Sequence, residues 1–168
     1  MLAAHRCLAR LLAPFFVALA SLVGAAGCHA QGIEQGAKLI ELDAFPKSTL
    51  EIHSGKQTHR FEIWIAETSA QQQQGLMFVR DLPENRGMLF IAAQPRVFNM
   101  WMKNTFVPLD MVFIGADGRI AKIAERTTPH SLDVVSSGVP VGAILELKGG
   151  EAARRALRLG DRVMWTRG

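Results

Sequence analysis

Cysteine is nearly absent from this 168-residue chain: only Cys7 and Cys28 occur, both close to the start. They fall in a stretch that reads as an export signal. His5, Arg6 and Arg10 open it, an apolar run extends from Leu11 to about Val23, and small residues follow from Gly24 to Ala30. A chain cleaved before Gln31 has no thiol left. An oxidising compartment would then find no disulfide to form, and cysteine-based nucleophile or metal chemistry is excluded. Stability must come from core packing.

Long apolar runs are missing too. The stretch from Leu11 is interrupted by Pro14 and falls short of the roughly 20 residues that span a membrane. No basic run is present. The 19 lysines and arginines, less Arg6 and Arg10, leave 17 against 15 acids, a net charge of +2 beyond residue 30. The high pI is therefore partly a property of the targeting segment, and no nucleic-acid partner is expected. Gly-x-Ser-x-Gly, His-Glu-x-x-His and zinc-ligand spacings do not occur. Gly115 to Gly118 lacks the acids of a calcium loop and reads as a hairpin turn, and Gly149-Gly150 also reads as a turn.

Two ways of processing the leader stay open. Cys28-His29-Ala30 before Gln31 suits an ordinary signal peptidase. Ala25-Ala26-Gly27-Cys28 is similar to a bacterial lipoprotein box, which makes Cys28 a candidate for lipidation, although Ala25 stands where a branched residue is usual. Either way the sequence predicts an exported, periplasmic or extracytoplasmic protein, soluble or lipid-anchored. Contact with a membrane is expected only if Cys28 carries acyl chains.

The remaining chain divides into a linker and N-terminal arm over residues 31–57 and one β-rich domain over 58–168. Lys38 to Asp43 and Thr49 to His53 are short runs that suit strands or a loosely docked arm; His53 and His59 read as solvated. Phe61, Ile63 and Ile65 alternate with Arg60, Glu62 and Trp64, the period of a half-buried strand. Thr68 and Gln71 form a capping-box pattern, so a short helix should run through the glutamines to Gln74 and stop at Gly75, with a solvated glutamine face. Asp81 to Gly87 is loop.

Strands are predicted at Met88 to Ile91, Val97 to Lys103, Leu109 to Ile114, Arg119 to Glu125, Ala143 to Leu147 and Arg162 to Trp165. A short helix is expected at Glu151 to Leu157, with an acid early and arginines late. Thr127 to Pro140 is a long connection of the kind that often carries function. Many short strands and two short helices predict a mainly-β fold, a compact antiparallel sandwich or barrel.

The densest signal is Phe98 to Gly118, FNMWMKNTFVPLDMVFIGADG, where methionine, tryptophan, lysine, asparagine and aspartate are threaded between apolar residues. With Gly75-Leu-Met77, Gly87-Met-Leu-Phe90 and Leu145-Glu-Leu147, it resembles the domain of unknown function 192 family. The resemblance implies a mostly antiparallel, jelly-roll-like β fold over about residues 61–166. It transfers no catalytic residue.

If Val97 to Lys103 alternates as a strand, Met100, Met102 and Asn104 share one face and Trp101 and Lys103 the other. Lys103 then needs an acid, and Asp110 and Glu146 are the two candidates. Trp101, Met102, Lys103, Asn104, Asp110 and Glu146 are thus the candidate ligand-binding residues. The leading expectation is a non-enzymatic binding or accessory module of the cell envelope, whose partner is a small ligand or an envelope protein, with no cofactor. One alternative is a hydrolase-like enzyme using Asp110 or Glu146 as base and Lys103 or Asn104 to steady developing charge. Another is Cu(I) held by the soft thioethers of Met102, Met77 and Met88 with His130. Methionine as a core filler against aromatics is the plainer explanation of those residues.

Overall fold

The computed structural model describes residues 39–166. The export segment, Cys28 and the start of the linker lie outside the described residues. After a 3-10 turn at Leu42–Ala44, nine strands and two short helices follow: β1 (Lys47–Ser54), β2 (Gln57–Ala66), α1 (Ser69–Gln74), β3 (Arg86–Arg96), β4 (Asn99–Met100), β5 (Leu109–Ile114), β6 (Ile120–Thr127), β7 (Val135–Ser136), β8 (Val141–Lys148), α2 (Glu151–Arg154) and β9 (Arg162–Trp165).

Seven strands form one sheet in the order β6-β5-β8-β3-β2-β1-β9, and β4 pairs with β7 in a small second sheet. All neighbours in the large sheet are antiparallel except β2 and β3. A parallel pair needs a crossover, and α1 with the loop after it supplies one. The sheet curls into a half-barrel until its two edges touch. Ile120 N–H donates to the Asp161 carbonyl at 3.0 Å, and Val163 N–H donates to the Gly118 carbonyl at 2.8 Å. The mainly-β expectation holds, with a single curled sheet as its form.

Alternation along each strand sends side chains to two cores. Inside the curl lie Leu50, Phe61, Ile63, Leu89, Val112, Leu145 and Val163. On the outer face lie Trp64, Met88, Phe90, Phe98, Met102, Met111, Phe113 and Ile144. Strands β5 and β8 are covered on both faces, which explains their nearly unbroken apolar runs. In β2 the expected half-buried pattern holds at Arg60 to Glu62, but Trp64 is also buried, because its end lies under the outer core.

Three expectations need correction. Of the two readings of Thr49 to His53, the strand holds and the loose arm does not: the run lies within β1, bonded to β2 on one side and β9 on the other. Consistent with that enclosure, Nε2 of His53 and of His59 is buried without a hydrogen-bond partner among the described residues. The glutamine run is not a solvated face. Gln71 closes the capping box with Thr68, Gln72 donates to the carbonyls of Ala66 and Ile91, and Gln74 exchanges two hydrogen bonds with the Ile40 backbone.

The third concerns Val97 to Lys103. Only Asn99–Met100 is strand. Met102 N–H donates to Ser131, Thr105 N–H donates back to Met102, and Asn104 adopts a left-handed φ of 56°. The segment is a loop whose apolar side chains roof the outer face of the sheet. Its period therefore reflects coverage rather than pleat.

Candidate functional site

The capping box fixes where α1 begins, and Gly75 fixes where it ends. Gly75 has φ 51° and ψ −134°, and its N–H donates to the Gln71 carbonyl at 2.8 Å. A Cβ at Gly75 would come within 3.1 Å of the Phe90 ring and 4.0 Å of Glu146 Oε2. The absence of a side chain leaves the end of α1 directly over the outer face of β3 and β8. Opposite it, the loop over residues 98–105 forms a second wall.

Between them is a cleft of about 810 Å³. Its walls include Leu76, Phe90, Phe98, Met100 and Trp101, with Lys103, Asn104 and Arg96 among the polar residues. Glu146 also lines it and is only 4% exposed. Its cross-strand neighbours on β3 and β5 are Met88 and Met111, both fully buried. Among the described residues no cation or hydrogen-bond donor reaches this carboxyl. Desolvation alone pushes it up from its ordinary 4.5 to about 8. At neutral pH it is mostly a protonated acid facing a roomy, apolar-walled cleft. A smaller hollow of about 290 Å³ lies over β1 and β2, but its acid, Glu62, already pairs with Arg86 at 3.0 Å.

Lys103 meets neither candidate acid. Its ammonium sits 5.5 Å from the centre of the Trp101 ring, and both side chains are exposed beside the cleft. Trp101, Lys103, Asn104 and Glu146 are therefore brought to one cavity. Met102 is not among its lining residues: it is buried in the outer core, where its sulfur accepts from Thr127 Oγ1 at 3.1 Å.

Asp110 is also elsewhere. It pairs with Leu147 across β5 and β8, one register position from the Met111–Glu146 pair and so on the opposite face. Its fully buried carboxylate accepts backbone N–H groups of Arg126 at 2.7 Å, Gly150 at 2.9 Å and Ala152 at 2.8 Å. These bonds pin the start of α2 and the end of β6. That is structural work, and it leaves Asp110 outside the cleft.

The methionines and histidine considered for copper have separate surroundings. Met77 lines the cleft, Met88 and Met102 are buried in the outer core, and His130 packs edge-on against Phe106 with centroids 5.0 Å apart. Several cleft residues had no mark of function in the sequence. Phe90 and Phe98 stand only as apolar members of the resembled motifs, and nothing in the sequence singles out Arg96. The usable signal was the Thr68 capping box, which places Gly75 where it opens the cleft above Glu146.

A solved structure from Sinorhizobium meliloti 1021, provisionally named a transcription regulator, is 38% identical to this chain. It has a TM-score of 0.71, with 72% of this chain and 95% of that one covered. A protein of unknown function from Novosphingobium aromaticivorans DSM 12444 is 34% identical with a TM-score of 0.72, covering 76% of this chain and 91% of that one. No curated protein matches. The pattern of DUF192, an uncharacterized ACR family, spans residues 50–165 and takes in both Gly75 and Glu146. On that match, this chain belongs to the DUF192 family.

Proposed function

We propose that the protein is a non-enzymatic binding module of the cell envelope that holds a small ligand in the cleft above Glu146. The observation that carries this reading is the lone carboxyl, 96% buried, at an apolar-walled cavity of about 810 Å³. Pockets of that size with a few convergent polar groups are the usual form of small-molecule sites. Burying an ionisable group without a partner is unfavourable, so a ligand that satisfies it gains binding energy there. The export half of the reading rests on the basic, apolar and small-residue order of residues 5–30.

The regulator name of the Sinorhizobium relative suggests nucleic acid. Here α1 and α2 have six and four residues, too short to serve as groove-reading helices. The cleft supports a small molecule better.

Native mass spectrometry of the protein purified gently from the cell envelope tests the reading. An added organic mass is expected, and it should be lost in Glu146→Gln. A clean apo mass in envelope preparations, with no probe bound in titration, overturns it. The same spectrum reports processing: a chain starting at Gln31 indicates signal-peptidase release, whereas a diacylglyceryl mass on Cys28 indicates an anchor.

One observation favours an enzyme as a second reading. A carboxyl with a pKa near 8 can take and return a proton at neutral pH, and Lys103 and Asn104 share its cleft. That reading uses Glu146 as the acid–base and has no place for Asp110. Turnover of an envelope-derived substrate that disappears in Glu146→Gln, with binding retained, would establish it.

A further inference from the structure

Three charged groups line the cleft: Glu146, Lys103 and Arg96. Their positions differ. Glu146 is buried beneath the end of α1, whereas Lys103 and Arg96 are exposed. Among the described residues none of the three forms an ion pair. Each cation instead lies over an aromatic face, Lys103 over Trp101 at 5.5 Å and Arg96 over Phe98 at 3.8 Å. No charged group faces Glu146 from the elements packed on it. Met88 and Phe90 come from β3, Met111 from β5 and Gly75 from the end of α1.

The cleft therefore has positive charge at its mouth and, at its floor, an unpartnered acid that turns negative only when it gives up its proton. An occupant that neutralises both has the inverse arrangement, and the apolar lining suits the carbon skeleton between them. Phe90 adds an aromatic ring close to Glu146, which attracts a cation more than it attracts a neutral group.

Resting on the binding reading above, we propose that the cleft takes a zwitterion, a small molecule whose cationic nitrogen seats on Glu146 and whose carboxylate or phosphate faces Lys103. A simple cation would be repelled at the mouth, and a simple anion held at the mouth would leave Glu146 without a partner. Arg96 provides a second cation at the mouth for occupants with a longer reach.

The seating step has a proton balance that can be measured. Near pH 7 the Glu146 carboxyl is mostly protonated, because burial holds its titration near 8. An alkylammonium arrives already charged, so the ion pair forms only when the carboxyl releases its proton to solvent. About one proton leaves per ligand bound at that pH. A neutral occupant that accepts a hydrogen bond from the protonated acid releases none.

The test is isothermal titration of the purified protein with phosphoethanolamine, phosphocholine, 4-aminobutanoate and 6-aminohexanoate. Hexylamine, hexanoate and hexanol serve as controls, each run in two buffers of different ionisation heat. At least one zwitterion should bind tenfold or more tightly than hexanol and hexanoate. Its affinity should rise between pH 6 and 8.5, and buffer dependence should show about one proton released at pH 7. Glu146→Gln, which keeps the shape of the side chain, should weaken binding tenfold or more and abolish the proton release. Lys103→Ala should weaken the zwitterions but not hexylamine.

Hexanol or hexanoate binding as tightly as the zwitterions, or zwitterions binding without proton release, would overturn this inference while leaving a small-molecule site in place. Failure of every probe together with a clean apo mass would overturn the binding reading as well. Flotation with phosphatidylcholine vesicles, with and without phosphatidylethanolamine, then tells a membrane headgroup from a free zwitterion.

Discussion

The backbone N–H of Phe78 donates to the carbonyl of Asn104 at 2.8 Å, and both residues have positive φ, 67° and 56°. This one bond ties the exit from α1 to the loop that forms the opposite wall of the cleft. Left-handed backbone costs a residue with a Cβ about 1–2 kcal/mol, more if it is β-branched, whereas glycine and asparagine tolerate it best. Asn104→Val should therefore lower unfolding free energy by about 2 kcal/mol, and Asn104→Gly should be nearly neutral. Urea melts of the two variants check this. Equal loss in both would mean that the asparagine side chain, rather than the backbone, holds the wall.

Asp110 should behave as a fold residue. Its carboxylate accepts from the backbone at Arg126, Gly150 and Ala152, and hydrogen bonds to a buried charge are worth more than neutral ones. Asp110→Asn exchanges one accepting oxygen for an NH2 that faces backbone donors. A loss of about 2–4 kcal/mol is expected, seen as a lower urea midpoint. At a temperature where the variant is still folded, ligand affinity should match wild type. A fully stable Asp110→Asn with abolished binding would return Asp110 to the site.

Glu146 should make stability depend on pH in the direction opposite to most carboxylates. Its folded value, about 8, lies above its ordinary 4.5. The unfolded chain thus gives up the proton first, and the folded state must hold it or pay for burying the charge. The stabilising contribution is complete below about pH 4.5, falls as pH rises, and is gone above about pH 8. A shift of that size corresponds to a ceiling of roughly 5 kcal/mol, and relaxation or water entry will reduce it. Glu146→Gln should flatten this slope, matching wild type at pH 4.5 and exceeding it at pH 9. Urea unfolding of both proteins at pH 4.5, 7 and 9 is the measurement; parallel curves would show that the carboxyl is solvated.

Much of the fold was legible because local rules and tertiary packing agree along most of the chain. The Thr68 box, the turn at Gly118 and the strands at Leu109 to Ile114 and Arg162 to Trp165 all stand where their patterns place them. The segment from Val97 to Lys103 was misread because a loop that roofs a sheet needs apolar residues as much as a strand does. Only the bonds from Met102 and Thr105 reveal the turn. Four of the six candidate site residues share the cleft, since Trp101, Lys103 and Asn104 lie close in sequence and Glu146 stood out as an acid among apolar neighbours. Asp110 looked equivalent to Glu146 by that criterion. A one-position difference in register separates them, and register between distant strands is not written in alternation alone.

Gly87 offers the sharpest test that the cleft floor is set by backbone contact. It lies on β3 opposite Leu147 of β8, and a Cβ there would stand 2.5 Å from the Glu146 carbonyl oxygen and 2.8 Å from Leu147 Cδ2. Neither neighbour can yield freely, since the carbonyl belongs to a central strand and the Leu147 side chain is fully buried. Gly87→Ala should therefore push β3 from β8 and cost about 1–3 kcal/mol, in the range of overpacked cores. Gly55→Ala is the comparison. Gly55 has φ 60°, yet nothing lies within 4 Å of its added Cβ, so only conformational strain of about 1 kcal/mol applies. Gly55 lies in the turn between β1 and β2, so only Gly87→Ala forces β3 away from β8, the strand that carries Glu146. Ligand affinity should fall in Gly87→Ala even where it remains folded, and should be unchanged in Gly55→Ala. Equal unfolding midpoints for the two would mean that β3 and β8 are not packed as closely as 2.5 Å requires.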